Sequence, residues 1–315
     1  MHYGTPDRVP LFQEGIREEV LEAWQKQGLP ASADLATLFN YDDLEEIEPE
    51  LDPIPAITHW SLNKAGLEEL RRRLDPNDPR RLPSNWREKV RRWRGPRQHV
   101  LMLRVHRGFF LTMGVEGWSS FTEAIRLLKD DPEFIQEVME IQAKFAASLA
   151  NRILQEVEAD GVIFSEPIAG NHGPLISPRM YEDFILMSYE RVLDVVERFN
   201  VKTIILRTYA NARALLPLVF KGRFNTLWAC ECNSKAMDYN LLRAEFGRGL
   251  RLIGGIDEDV LRQNQESIRK EVDDKVLPLL AQGGFVPLAD GRVREDVPFE
   301  NYAFYRRYLE EITQG

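Results

Sequence analysis

The feature that most restricts the fold of this chain is the alternation of short apolar runs with helix-like segments, clearest between Leu227 and Asp257. Residues 226–229 and 250–253 form two apolar runs, each ending in polar or glycine residues, and residues 237–246 between them have helical spacing. This is the pattern of a βαβ unit in a parallel sheet, whose strand ends face one side and whose loops there carry chemistry. Glu231, Cys232 and Asp257 are therefore expected to look into one space.

The same alternation extends in both directions. Residues 203–206 and 284–288 read as further strands, with helices over 212–220, 265–280 and 299–312. Upstream, residues 8–12, 99–105 and 161–164 read as strands, and 34–39 as a short helix or strand. Asp130 or Asp131 is placed to cap a helix over 132–157 with Pro132 in its first turn, and Ser177 to cap a helix opened by Pro178. The acidic stretch 42–52, followed by Pro53 and Pro55, reads as an extended loop. Roughly eight strand candidates separated by helices predict an α/β fold of the (β/α)8 TIM-barrel type, one domain over residues 1–315 with an N-terminal helical extension.

Composition limits the partners. With 315 residues and a hydrophobic share of 43%, the chain can bury a large core. Its formal charge of −9 argues against a broad nucleic-acid or anionic-membrane surface. The arginines between Arg71 and Arg92 are interleaved with Glu68, Glu69, Asp75, Asp78 and Glu88, so they read as a solvated face. No run approaches the ~18 apolar residues of a membrane span, and the N-terminus lacks a signal-peptide pattern, so the expectation is a cytoplasmic protein. Cys230 and Cys232, one residue apart on a strand, should point to opposite faces, which disfavours a mutual disulfide and a two-thiolate zinc site.

In a parallel barrel the reacting groups sit where strands end. That criterion selects Glu14, Asn40, Tyr41, Asp42, His106, Arg107, Glu166, His172, Arg207, Tyr209, Asn211, Glu231, Cys232, Asp257, Asp290 and Arg292. Asp42, Glu166, Glu231 and Asp257 are the acid–base candidates. Arg107, His172, Arg207, Tyr209, Asn211, Asp290 and Arg292 are the substrate-binding ones, and guanidinium forks among them suit a small anionic ligand. Each has a plainer role available: Arg107 and Arg207 as ion-pair partners of carboxylates, His172 as a turn residue, Asp257 as the cap of a short helix.

Several segments together resemble the uroporphyrinogen decarboxylase superfamily, which includes corrinoid-dependent methyltransferases. They are Arg8-Val-Pro-Leu-Phe-Gln-Glu-Gly, Gly173-Pro-Leu-Ile-Ser-Pro-Arg-Met-Tyr-Glu-Asp-Phe, Met237-Asp-Tyr-Asn-Leu-Leu-Arg-Ala-Glu-Phe-Gly, Leu252-Ile-Gly-Gly-Ile-Asp and Asp296-Val-Pro-Phe-Glu-Asn-Tyr. The resemblance implies a (β/α)8 barrel and an enzyme acting on a small substrate. It also marks departures. Phe12-Gln-Glu-Gly-Ile-Arg stands where the decarboxylases have an arginine-rich signature. Asp42 is offset by one residue from their key aspartate, and Asp290-Gly291-Arg292 lacks their late histidine. The zinc-dependent methyltransferases have a His-x-Cys pair where this chain has Arg207-Thr-Tyr, and a further cysteine near Ala289-Asp290. The resemblance therefore implies a divergent branch: methyl transfer on a small anionic or methylated substrate, with a corrinoid carried by a partner protein and no zinc. Cofactor-free decarboxylation of an acidic, tetrapyrrole-like substrate and a non-catalytic ligand-binding barrel are the alternatives, and a homodimer is compatible with either.

Overall fold

The computed structural model describes Tyr3 and residues 8–57, 63–232 and 235–314. Within these the chain falls into two compact units, one over residues 44–208 and 212–224, the other over the described parts of 1–43, 209–211 and 225–315.

The parallel sheet of the first unit holds four strands: β1 (Leu44–Ile47), β2 (Val100–His106), β3 (Gly161–Glu166) and β4 (Thr203–Ala210), the last contributing residues 203–208 here. All pair in parallel in that order, with a register shift between Arg104 and His106 on β2. Val162, Ile163, Phe164, Ile205 and Leu206 are buried, as expected of strands covered on both faces. The long helix Pro132–Leu154 starts where the sequence places it, with Asp131 Oδ1 accepting from Phe134 N at 3.1 Å. Ser177 likewise caps its helix. That helix widens to a π-helix over Tyr181–Leu186 before continuing as Met187–Arg198.

The second unit holds β5 (Thr226–Cys232), β6 (Arg251–Ile256) and β7 (Phe285–Ala289), also parallel and in that order. Tyr239 ties the first two together: its hydroxyl accepts from Ala229 N at 3.0 Å and donates to Ile253 O at 2.6 Å. The ring lies against Gly255, at φ +91°, where an added Cβ would stand 2.7 Å from Cδ2. Glycine at this place on β6 leaves room for the tyrosine.

Two expectations need correction, and one left open is resolved. Residues 8–12 form no strand; the nearest sheet-like contact is an isolated parallel bridge from Ile16 to Val293. The acidic stretch read as loop contains β1, whose Glu45 and Glu46 pair with cationic side chains and so tolerate burial. Residues 34–39 hold a short helix, Leu35–Leu38, capped by Asp34. The described residues thus carry seven strands paired in parallel, and the α/β class stands while the count of eight does not. A further helix spans Lys64–Arg73.

The arginine-rich segment is mostly the solvated, ion-paired face expected, as in Arg71–Glu68 and Arg80–Asp78. Arg81 differs. It is 1% exposed, lies over the Phe145 ring, and donates to the carbonyls of Asp75, Glu50 and Arg73. No helix among the described residues is long and apolar enough to cross a membrane.

Candidate functional site

Parallel pairing of β5, β6 and β7 brings the residues after their carboxyl ends together. Asp290, immediately after β7, is the hub. Its backbone N–H donates to Ile256 O at 2.9 Å and its carbonyl accepts from Glu231 N at 2.5 Å. Its carboxylate accepts from Glu258 N at 3.0 Å on Oδ1, and from Cys232 N at 2.9 Å and the Cys232 thiol at 3.1 Å on Oδ2. One buried side chain therefore fixes the ends of all three strands. Glu231 reaches its bond to the Asp290 carbonyl with φ at +42°, a left-handed conformation that a non-glycine residue keeps only when its surroundings impose it. This turn interrupts the simple strand alternation assumed for Cys230 and Cys232. Cys230 is buried and donates to Glu14 Oε1 at 3.2 Å, and neither cysteine is in a disulfide.

Glu258 is the residue that sequence reasoning missed. It opens a short 3-10 turn capped by Asp257, so from the sequence it looks like one more acid in a helix start. In the fold it is 3% exposed, and neither carboxyl oxygen has a hydrogen-bond donor among the described residues. The nearest cation, Arg294 Nε, is 3.6 Å from Oε2. Gly291 makes space for it, since a Cβ there would lie 2.5 Å from Oε2. Burial pushes the Glu258 carboxyl up to about 7, against the pull of Arg294 and with further upward pushes from Asp290, Glu231 and Asp259. Asp290 is also raised, chiefly by burial, and the Cys232 thiol is raised by burial and then by the Asp290 charge. The thiol is accordingly held protonated and is no ready nucleophile. The available signal was the spacing after β6: residue 258 follows a strand end as Asp257 does.

The other candidates divide between the units. In the second unit, Asp257 accepts from Asp259 N at 2.9 Å as the cap of the 3-10 turn. Asp42 is paired with Arg8 and accepts from Leu11 N at 2.7 Å, and the Arg8 hydrogen bond holds its carboxyl below the usual range. Tyr41 shares a 2.8 Å hydrogen bond with Tyr302, and Asn40 donates to Glu310. Arg292 is exposed, and Tyr209 and Asn211 are half-buried around Ala210, which is itself left-handed at φ +54°.

In the first unit, Glu166 is fully buried. Its Oε1 accepts from Phe109 N at 2.9 Å, its Oε2 accepts from Tyr189 OH at 2.5 Å, and His106 Nε2 lies 3.3 Å from that same oxygen. Arg207 is buried and bidentate on Glu46, which Arg104 also contacts at 2.9 Å. Burial pushes Glu46 up, but the Arg207 hydrogen bond and the two guanidinium charges outweigh it and leave the carboxyl low. Arg107 pairs with Asp52 and donates to Leu111 O at 2.6 Å. His172 is exposed in the turn between the short strands Ala169–Gly170 and Gly173–Pro174. No three His, Cys, Asp or Glu side chains among the described residues converge as a metal site.

Parallel strands with a buried, proton-retaining acid cluster at their carboxyl ends define an α/β protein whose candidate site lies where such folds place their chemistry. The model of the family described as "Uroporphyrinogen decarboxylase (URO-D)" matches residues 110–302, well over half of the chain. The chain belongs to that family, and the family points to an enzyme. Among solved structures, a methyltransferase from Methanosarcina mazei is similar over 98% of this chain and 95% of its own, with a TM-score of 0.57 and 16% identity, a likeness of fold. A candidate vitamin-B12-independent methionine synthase from Listeria monocytogenes matches 69% of this chain and 65% of its own at 10% identity and a TM-score of 0.39. No protein of curated function matches this chain in sequence.

Proposed function

We propose that this protein is a URO-D-family enzyme that moves a methyl group from a small methylated substrate to a corrinoid carried by a partner protein, with Glu258 facing the heteroatom the methyl group leaves. The observation that supports this best is the Glu258 carboxyl itself: buried, without a hydrogen-bond donor among the described residues, and titrating near neutrality. A heteroatom gives up a methyl group readily when it carries or receives a proton, and a carboxyl that exchanges its proton near pH 7 is matched to that task. The corrinoid accepts the methyl group. The chain's own residues do the rest: Asp290 holds the three strand ends, Glu231 stands half-exposed at the mouth, and Glu258 takes or gives the proton within.

The arginines argue against an acidic tetrapyrrole as the substrate. Binding several carboxylates needs guanidinium groups that are not already neutralised, and Arg107 and Arg207 are committed to Asp52 and Glu46. The cluster around Asp290 is itself acidic.

The test is to mix the purified protein with chemically reduced cobalamin and a panel of methylated amines and aromatic methyl ethers, following methylcobalamin by its absorbance. At least one substrate should be demethylated, and Glu258→Gln should lower the rate by about 100-fold, the lower end of the range for losing a general acid–base group. Release of carbon dioxide from an acidic tetrapyrrole, with no methylcobalamin formed, would overturn the reading in favour of decarboxylation. Absence of turnover with any of these substrates would favour a binding-only barrel.

A further inference from the structure

We infer that the Glu231–Glu258–Asp290 cluster binds a small organic cation, a quaternary or protonated methylated amine. This rests on the reading of methyl transfer and names its substrate class. The first ground is geometric. Glu258 and Asp290 are 3% and 4% exposed, they lie on adjacent strand ends, and Asp290 already has its donors in Glu258 N, Cys232 N and the Cys232 thiol. Glu258 has none among the described residues on either oxygen. A buried carboxyl left bare in this way is costly unless a ligand supplies the missing donor or charge.

The second ground is the balance of charge. The cations near the cluster stand at its edge: Arg294 Nε is 3.6 Å from Glu258 Oε2, Arg17 Nη2 is 3.8 Å from Glu231 Oε1, and both guanidinium side chains are more than a third exposed. Against them the cluster sets Glu231, Glu258 and Asp290, with Asp257 beside it; Asp259 is neutralised by Arg262 at 2.7 Å. Burial first, and neighbouring negative charges after it, push Glu258, Asp290 and Cys232 towards their protonated forms. An entering anion would worsen this imbalance, a neutral ether would leave it unchanged, and an ammonium group relieves it. Glu231, with its side chain 48% exposed, extends the negative surface to the entrance.

The chemistry is consistent with the site. When methyl leaves an ammonium nitrogen, the C–N bond breaks with its electron pair remaining on nitrogen, and the reduced corrinoid supplies the pair that takes the methyl group. The leaving amine is neutral and requires no proton, so with this substrate class Glu258 acts as the counter-charge, and the proton donation described above is needed only for a neutral ether or amine. Glu258 is a carboxylate while the cation is bound and regains its proton once the charge is gone.

The experiment is isothermal titration calorimetry of the full chain with tetramethylammonium chloride, against tert-butanol as a neutral probe of similar size and sodium acetate as an anion. Tetramethylammonium should bind, its affinity should climb about tenfold per pH unit as the pH is raised towards 7 and level off above, and comparison of buffers should show about half a proton released per cation at pH 7. Glu258→Gln should weaken the cation at least tenfold. Should that variant fold poorly, the pH profile and proton release of the unsubstituted protein decide the matter. Equal affinity for tert-butanol and tetramethylammonium, tighter binding of acetate, or cation affinity independent of pH between 5 and 8 would each overturn the assignment. Binding without any methyl transfer would leave it standing while refuting the proposed function. Demethylation of ethers with no cation binding would do the reverse.

Discussion

The raised carboxyl of Glu258 has a measurable consequence for stability. Its pKa moves from 4.5 in the unfolded chain to about 7 in the fold, so between those values the folded protein holds a proton that the unfolded chain has released. Stability must therefore fall as pH rises through that window, by about 1.4 kcal/mol for each pH unit crossed, or about 3 kcal/mol in total. Below pH 4.5 the residue is neutral in both states and contributes no such penalty. Glutamine at position 258 keeps the size and removes the titration. Any fixed cost of burying the amide is the same at every pH, so the informative quantity is the change in the difference between the two proteins. Thermal unfolding of Glu258→Gln and the unsubstituted protein should show the variant gaining about 3 kcal/mol relative to its parent between about pH 4.5 and 8, or roughly 6 °C for a chain of this size. A melting-temperature difference that stays constant across that range would refute both the burial argument and the acid–base role.

Two further substitutions test the frame around the sites. Arg207→Ala leaves the half-buried Glu46 with Arg104 alone and should cost about 2–3 kcal/mol in urea unfolding; a loss below about 1 kcal/mol would make the pair a surface contact in effect. Gly255→Ala forces a Cβ to within 2.7 Å of the Tyr239 ring at a φ of +91°, so a loss of about 2–4 kcal/mol is expected, against no measurable change if the ring moves freely aside.

Much of the second unit is legible in the sequence because its pattern is local. The apolar runs of β5, β6 and β7 and the helix-like segments between them are separated by glycine and polar punctuation, and chain order alone dictates parallel pairing. The segments 8–12 and 42–52 mislead for the opposite reason. Val9, Leu11 and Phe12 form an apolar run without acquiring a strand partner, whereas Leu44–Ile47 is half acidic and becomes a strand because Lys89, Arg92, Arg104 and Arg207, distant in sequence, neutralise Glu45 and Glu46. The π-helical turn at Tyr181–Leu186 likewise has no local signature.

The sequence by itself determined the α/β class, the cap at Ser177, a cap at Asp130 or Asp131, and the placing of Glu231, Asp257 and Asp290 at strand ends, since these depend on propensity, spacing and chain order. Tertiary structure alone decided which acid near those strand ends is left without a donor. Asp257 spends its carboxylate capping a turn, Asp290 commits its own to three donors, and Glu258, one residue from a cap, is left buried and bare. That outcome depends on desolvation and on the positions of Gly291, Arg294 and Asp290 in space, quantities set by packing between strands that no local pattern encodes.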